Sequence, residues 1–248
     1  KKKPPLKNIW KNGFWVGWGA CAAVCPEKII KLDFSGERSS YQAMIPLVSE
    51  KKCTGCGFCC RVCPFIQNLV GDKENKNSIQ IDLPELLDWM IGPYKKIFTG
   101  YAVDSNLRYM SSSGGAATAL LIYLLKTNMI DGALVASPIQ GNAIRHKINL
   151  VKNVDDIISN RGTVYTQIDY SGIWEVLQEN KDRLAIMGLP CYLKAVDLFM
   201  ATKKLDTSRI FKIGLFCSGM SKHRVLEYLC KRKKLNPDKV LSIRYRSG

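Results

Sequence analysis

Cys53-Thr54-Gly55-Cys56-Gly57-Phe58-Cys59-Cys60-Arg61-Val62-Cys63-Pro64 sets its register cysteines at intervals of three, three and four and ends in Cys-Pro. Thiolates at this spacing hold cubane iron–sulfur clusters in pairs: a tight loop aims three at one cluster, and the fourth reaches the other. Gly55 and Gly57 let the backbone turn closely around the cluster. Zinc sites more often use two Cys pairs separated by a longer loop, so this run points to iron and sulfide. Cys60 falls outside the register and reads as a packed thiol.

A second copy lies upstream, in Trp15-Val16-Gly17-Trp18-Gly19-Ala20-Cys21-Ala22-Ala23-Val24-Cys25-Pro26. Its two cysteines and its proline are in register with Cys59, Cys63 and Pro64, but Trp15 and Trp18 occupy the first two cysteine positions. An indole offers only an N–H donor and cannot ligate iron as a thiolate does. With crossed ligation, Cys53, Cys56, Cys59 and Cys25 supply one complete 4Fe-4S cluster. The other cluster is left with Cys21 and Cys63. One intact cluster is therefore expected, with the second absent or labile. The two indoles either fill the vacated space or stand one codon base away from cysteine.

The remaining composition narrows the class. The chain has 248 residues, 46% apolar and 23% charged, enough for a small domain joined to a larger one. The apolar stretch from Ala116 to Leu125 is too short to span a bilayer, and Lys1-Lys2-Lys3-Pro4-Pro5 does not read as a signal peptide. Ten cysteines in a chain of this length without a signal indicate metal or redox chemistry rather than disulfides, and a cytoplasmic location. A first residue of Lys and an abrupt end at Arg244-Tyr245-Arg246-Ser247-Gly248 read as a piece of a longer protein. Of the net charge of +16, a net +10 falls in residues 201–248, around Lys222-His223-Arg224 and Lys231-Arg232-Lys233-Lys234. Such a patch can attract an anionic cofactor, an acidic partner or a phosphate backbone, or be no more than a solvated helix face. Tyr228 is the lone aromatic among these basic residues, which makes nucleic acid the weakest of the three.

Two units are expected, of α+β class: residues 1–92, with a polar connector and a helical pattern from Leu83 to Met90, and residues 93–248. In the second unit, helix formers run from Ala116 to Leu125, from Tyr192 to Ala201 and from Lys222 to Lys233. Short apolar strands run from Ala133 to Ser137, from Leu184 to Gly188 and from Ile210 to Phe216. This alternation suggests a mostly parallel sheet with crossover helices. Ligands collect at the carboxyl ends of such strands, here Ser137, Gly188 and Cys217. Ser113, Gly114 and Gly115 put bare amides at a helix N-terminus, a cradle for pyrophosphate. Ser113 can equally be no more than the N-cap.

In order, Ile91-Gly92-Pro93-Tyr94 to Gly100-Tyr101-Ala102, Ser111 to Ala116, Gly188-Leu189-Pro190-Cys191 and Phe216-Cys217-Ser218-Gly219 resemble the beta subunits of coenzyme F420 hydrogenases and dehydrogenases. The resemblance covers nearly the whole chain. It implies a bacterial ferredoxin-like domain followed by an α/β flavin-binding domain, truncated at its C-terminus. FAD is then the implied second cofactor. Arg161-Gly162-Thr163-Val164-Tyr165 is similar to a family loop near the flavin, with Arg161, Thr163 and Tyr165 as candidate contacts, and Pro190 belongs to the Pro-Cys turn. Lys194, on the helix after that turn, meets a cofactor phosphate or is a surface lysine. The resemblance also implies that Cys191 and Cys217 belong to a further iron–sulfur site. Its remaining Cys-x-x-Cys pair does not occur in these residues.

The implied activity is an FAD- and iron–sulfur-dependent oxidoreductase. A reduced deazaflavin or similar two-electron donor feeds the flavin, and single electrons pass through 4Fe-4S to a redox partner subunit. The alternative is a ferredoxin-type electron-transfer subunit without flavin. His146 and His223 are isolated from carboxylates in sequence and are assigned no role.

Overall fold

A computed structural model describes residues 16–33, 45–71, 95–217, 219–221 and 224–245. Trp15, the helical pattern at 83–90, the stretch at 91–94, and Ser218, Lys222 and His223 lie outside the described residues. The first part contains α1 (Ala20–Val24), the antiparallel strands β1 (Ile30–Asp33) and β2 (Ile45–Val48), α2 (Phe58–Arg61) and α3 (Pro64–Gly71). Then follow α4 (Ser105–Met110), α5 (Ala116–Lys126), β3 (Gly132–Ile139), β4 (Asn142–Val151), α6 (Val154–Ser159) and β5 (Ile168–Asp169). The order continues with α7 (Ile173–Glu179), β6 (Leu184–Gly188), α8 (Pro190–Lys203), β7 (Ile210–Gly214) and α9 (Arg224–Arg232).

The two copies of the cysteine loop share one backbone. Gly17 (φ 86°) and Gly19 (φ 80°) repeat Gly55 (φ 73°) and Gly57 (φ 78°), all in the left-handed region. Gly19 and Gly57 each precede the short helix that carries the third cysteine position of its copy, α1 or α2. Glycine adopts this conformation without the steric cost that a Cβ would add. The loop geometry therefore survives in the upstream copy although two of its ligands do not.

The main sheet has the order β5-β4-β3-β6-β7. β3 with β6, β6 with β7 and β4 with β5 pair in parallel, so the sheet is mostly parallel as expected. β3 and β4 pair antiparallel. The reason is local: Gly141, at φ 76°, turns the chain immediately after β3 into a hairpin. The sequence suggests a short strand that ends at Pro138, and β4 is not among the expected strands. Alternation along the strands separates two faces. Ala133, Val135 and Ala185 pack under Leu121 and Leu124 of α5. Leu134, Ile148, Ile168 and Ile186 face the other way, toward Ile173, Trp174 and Leu177 of α7 and Tyr192, Val196 and Phe199 of α8.

That second face continues without a break into the first part of the chain, through Trp18, Ala20, Cys21, Val24, Ile30, Cys59 and Val62. The closest tie is polar: the Trp174 indole N–H donates to the Trp18 carbonyl at 2.8 Å, and both residues are buried. A Cβ added at Gly19 would stand 3.2 Å from that indole nitrogen, so the glycine admits the close approach. Trp174→Phe keeps an aromatic ring but leaves a buried carbonyl unpaired. It should lower unfolding stability by about 1–3 kcal/mol in denaturant titrations; an unchanged midpoint would show that the bond does not secure the joint.

Candidate iron–sulfur site and nucleotide cradle

Cys25, Cys53, Cys56 and Cys59 line one cavity, with Gly55 and Gly57 at its rim and Ile29, Ile30 and Val48 forming an apolar wall. This is the complete set of thiols expected from crossed ligation, brought together although Cys25 belongs to the other loop. The cavity holds about 410 Å³ counting its open mouth. Among the described residues, no three Cys, His, Asp or Glu side chains converge to hold a single metal ion. Thiols arranged around a cavity suit a polynuclear cluster, whose ligands stand apart across the cube. Cys59 is buried and Cys56 exposed, so one edge of the site meets solvent.

Cys60 is half-buried beside Cys59, with the sulfurs 4.0 Å apart. Their shared hydrogen bond, then burial, pushes the Cys59 thiol up, and the same bond pulls Cys60 down. Metal ligation removes such a proton outright, because the ligand is the thiolate.

The other half of the pair is filled differently. Trp18 is buried and stacks on Phe65, with ring centroids 5.2 Å apart and planes at 19°. Burial, then the nearby Cys63 and Cys59, pushes the Cys21 thiol up to about 12, and burial also raises Cys63. Cys21 belongs to the same buried cluster as Trp18, against which Phe65 packs.

At the start of α5 the backbone is left-handed for three residues running: Ser113 (φ 52°), Gly114 (φ 75°) and Gly115 (φ 73°). The residue before the helix is Gly115, with no side-chain cap, so Ser113 is not the N-cap. A Cβ at Gly114 would stand 3.0 Å from Tyr101 Cβ, and one at Gly115 would stand 3.1 Å from the Leu107 carbonyl oxygen. The two glycines thus permit a tight turn that no larger residue fits. The Thr163 N–H donates to Ser112 Oγ at 3.1 Å, which brings the 161–165 loop onto this turn. Thr163 is therefore beside the cradle. Arg161 donates to the Ile158 carbonyl at 2.7 Å, closing α6, and Tyr165 lies edge-on to Tyr245 with centroids 5.8 Å apart.

Pro190 opens α8 on the opposite face of the sheet from α5, and Lys194 is exposed on that helix. The expected contacts thus approach the sheet edge from both faces. The Leu215 N–H donates to the Gly188 carbonyl at 2.9 Å, holding the ends of β6 and β7 together. Cys191 and Cys217 follow those ends, and both act on Tyr170, whose hydroxyl is raised first by burial and then by these thiols. The two cysteines are thus neighbours, as their strand-end positions suggested.

Exposure separates the thiols chemically. In apoprotein, Cys56 and Cys217 are the two exposed thiols among the described residues, and a maleimide should label them first. Cluster loading should protect Cys56 and leave Cys217 reactive, as read by peptide mass mapping. Equal labelling of Cys56 before and after loading would remove it from the ligand set.

The profile for the coenzyme F420 hydrogenase/dehydrogenase beta subunit matches in its N-terminal part at residues 97–174 and in its C-terminal part at residues 181–248. A 4Fe-4S dicluster domain matches residues 16–77. One subunit of the F(420)H(2) dehydrogenase of Methanosarcina mazei is 23% identical over 99% of this chain and 65% of its own length. The coenzyme F420-dependent sulfite reductase of Methanocaldococcus jannaschii is 24% identical over 98% of this chain and 37% of its own length. The chain therefore spans less than two thirds of these curated relatives. A chain of the F420-reducing [NiFe] hydrogenase complex from Methanosarcina barkeri superimposes with a TM-score of 0.47 at 24% identity, over 53% of this chain and 47% of that one. No helix among the described residues is long and apolar enough to cross a membrane. With both parts of one profile matched in order behind the iron–sulfur domain, the chain belongs to the family of coenzyme F420 hydrogenase/dehydrogenase beta subunits.

Proposed function

We propose that the chain is the iron–sulfur flavoprotein part of an oxidoreductase that moves electrons between a reduced deazaflavin, FAD and one 4Fe-4S cluster. The observation that carries this reading is the gathering of Cys25, Cys53, Cys56 and Cys59 around one cavity. The relatives named for coenzyme F420-dependent enzymes support a deazaflavin as the two-electron donor. The left-handed turn at Ser113, Gly114 and Gly115, opening an 11-residue helix, supports a dinucleotide phosphate site.

A bound flavin supplies the exchange between two-electron and one-electron chemistry. Around it, the start of α5 offers amides and the positive end of the helix dipole to the phosphates. Thr163, fixed through Ser112, closes one side of that turn. The four cysteines would hold the cluster as thiolates, with Cys59 and the apolar wall on its protein side. Cys56 leaves one edge near solvent, where a redox partner reaches it. Cys191 and Cys217 would be at most half of a further site, because the Cys-x-x-Cys pair that would complete it does not occur in these residues.

Anaerobically reconstituted protein should contain about four iron and four sulfide per chain together with one FAD. Iron without flavin would leave a ferredoxin-type electron-transfer subunit. About eight iron would contradict the one-cluster reading.

A further inference from the structure

The helix α9 (Arg224–Arg232) is apolar on two sides. Leu226 and Cys230, four residues apart, are buried with Ile144 of β4, and Val240, Ile243 and Tyr245 pack against them. Val225, Tyr228 and Leu229 occupy the remaining surface of the helix and are 42%, 60% and 44% exposed. Residues at these intervals are neighbours on an α-helix, so the three form one outward stripe. A helix that only covers a core needs a single apolar stripe, and its outer face is ordinarily polar.

The helix runs into Lys231-Arg232-Lys233-Lys234, and all four are exposed. A hydrogen-bonded helix end fixes their arrangement. Lys234 is left-handed at φ 56°, its N–H donates to the Lys231 carbonyl at 3.1 Å, and the Leu235 N–H donates to the Cys230 carbonyl at 2.8 Å. Arg232 lies one turn beyond Tyr228, so a cation continues the outward stripe. Residues 224–245 hold seven Lys and Arg against two carboxylates, Glu227 and Asp238. Glu227 is paired with Arg145 of β4 at 3.3 Å, and Asp238 lies apart, in the turn Pro237–Lys239. A merely solvated face accounts for the lysines but not for the three apolar side chains exposed beside them.

The cations call for an anionic surface, and their type indicates which. Protein interfaces are depleted in lysine. A layer of lipid headgroups accepts long, flexible lysines and takes up the apolar side of a helix lying in its plane. Here three of the four consecutive basic residues are lysines, and the stripe is centred on a tyrosine, whose apolar ring and polar tip suit that boundary. We propose that the outward face of α9 docks on an anionic phospholipid surface. Val225, Tyr228 and Leu229 enter the headgroup layer, and the basic residues from Lys231 to Lys234 meet the lipid phosphates. The proposal goes beyond the electron-transfer reading and does not depend on it.

The full-length protein should sediment with phosphatidylcholine vesicles that contain phosphatidylglycerol and not with phosphatidylcholine alone, and rising salt should release it. Replacing Lys233 and Lys234 together by Gln should weaken binding about 20-fold. Leu229→Gln should weaken it about 10-fold. Tyr228→Trp should tighten it and give a blue-shifted indole emission on vesicles that the wild type lacks. A wild type that ignores anionic vesicles would overturn the proposal, and that is also the result expected if another part of the chain or a partner subunit covers the face. Binding that Leu229→Gln leaves intact would overturn it too, since the lysines would then form a general polyanion site. Soluble polyglutamate bound as tightly as the vesicles would assign the face to an acidic protein and overturn the lipid assignment.

Discussion

The hydrogen bond from the Trp174 indole to the Trp18 carbonyl is the constraint on which the joining of the two halves depends. It pairs a carbonyl that the cysteine-type loop would otherwise bury alone, and it lies where a glycine leaves room for an indole edge. Around it, Trp18 stacks on Phe65, and Trp174 packs on Phe199 with ring centroids 4.8 Å apart. The loop that lost its ligands has thus become a joint, with a core that runs from α1 through α7 and α8 to the sheet.

The joint is built on one of the two cysteine loops. The upstream loop keeps the left-handed glycines of the downstream one and contributes Cys25 to the cavity lined by Cys53, Cys56 and Cys59. Beside Cys21, the buried Trp18 stacks on Phe65. The loop therefore lends one thiol to the cysteine-lined cavity and packs against the rest of the protein.

The gathering of Cys25 with Cys53, Cys56 and Cys59 around one cavity was legible in the sequence, because a few residues of covalent spacing and the repeat are enough to suggest it. α5 was legible for a similar local reason, an unbroken run of helix formers opened by Gly-Gly. β4 was not, because the turn at Gly141 was hidden behind Pro138, which read as a strand end. The Trp18–Trp174 contact joins residues 156 positions apart and left no local signal. Ser111, Ser112 and Ser113 are equivalent as letters. The backbone separates them: Ser113 takes the left-handed conformation, Ser112 accepts from Thr163, and Ser111 is buried against Gly115.

The central claim is that the paired cysteine loops hold one cluster and a packed joint in place of two clusters. Electron paramagnetic resonance of the anaerobically reduced protein, reconstituted with excess iron and sulfide, tests it most directly. The account predicts one simple rhombic 4Fe-4S signal integrating to about one spin per chain. A signal broadened by spin coupling and integrating to about two spins per chain would show a second cluster within the paired loops and contradict it.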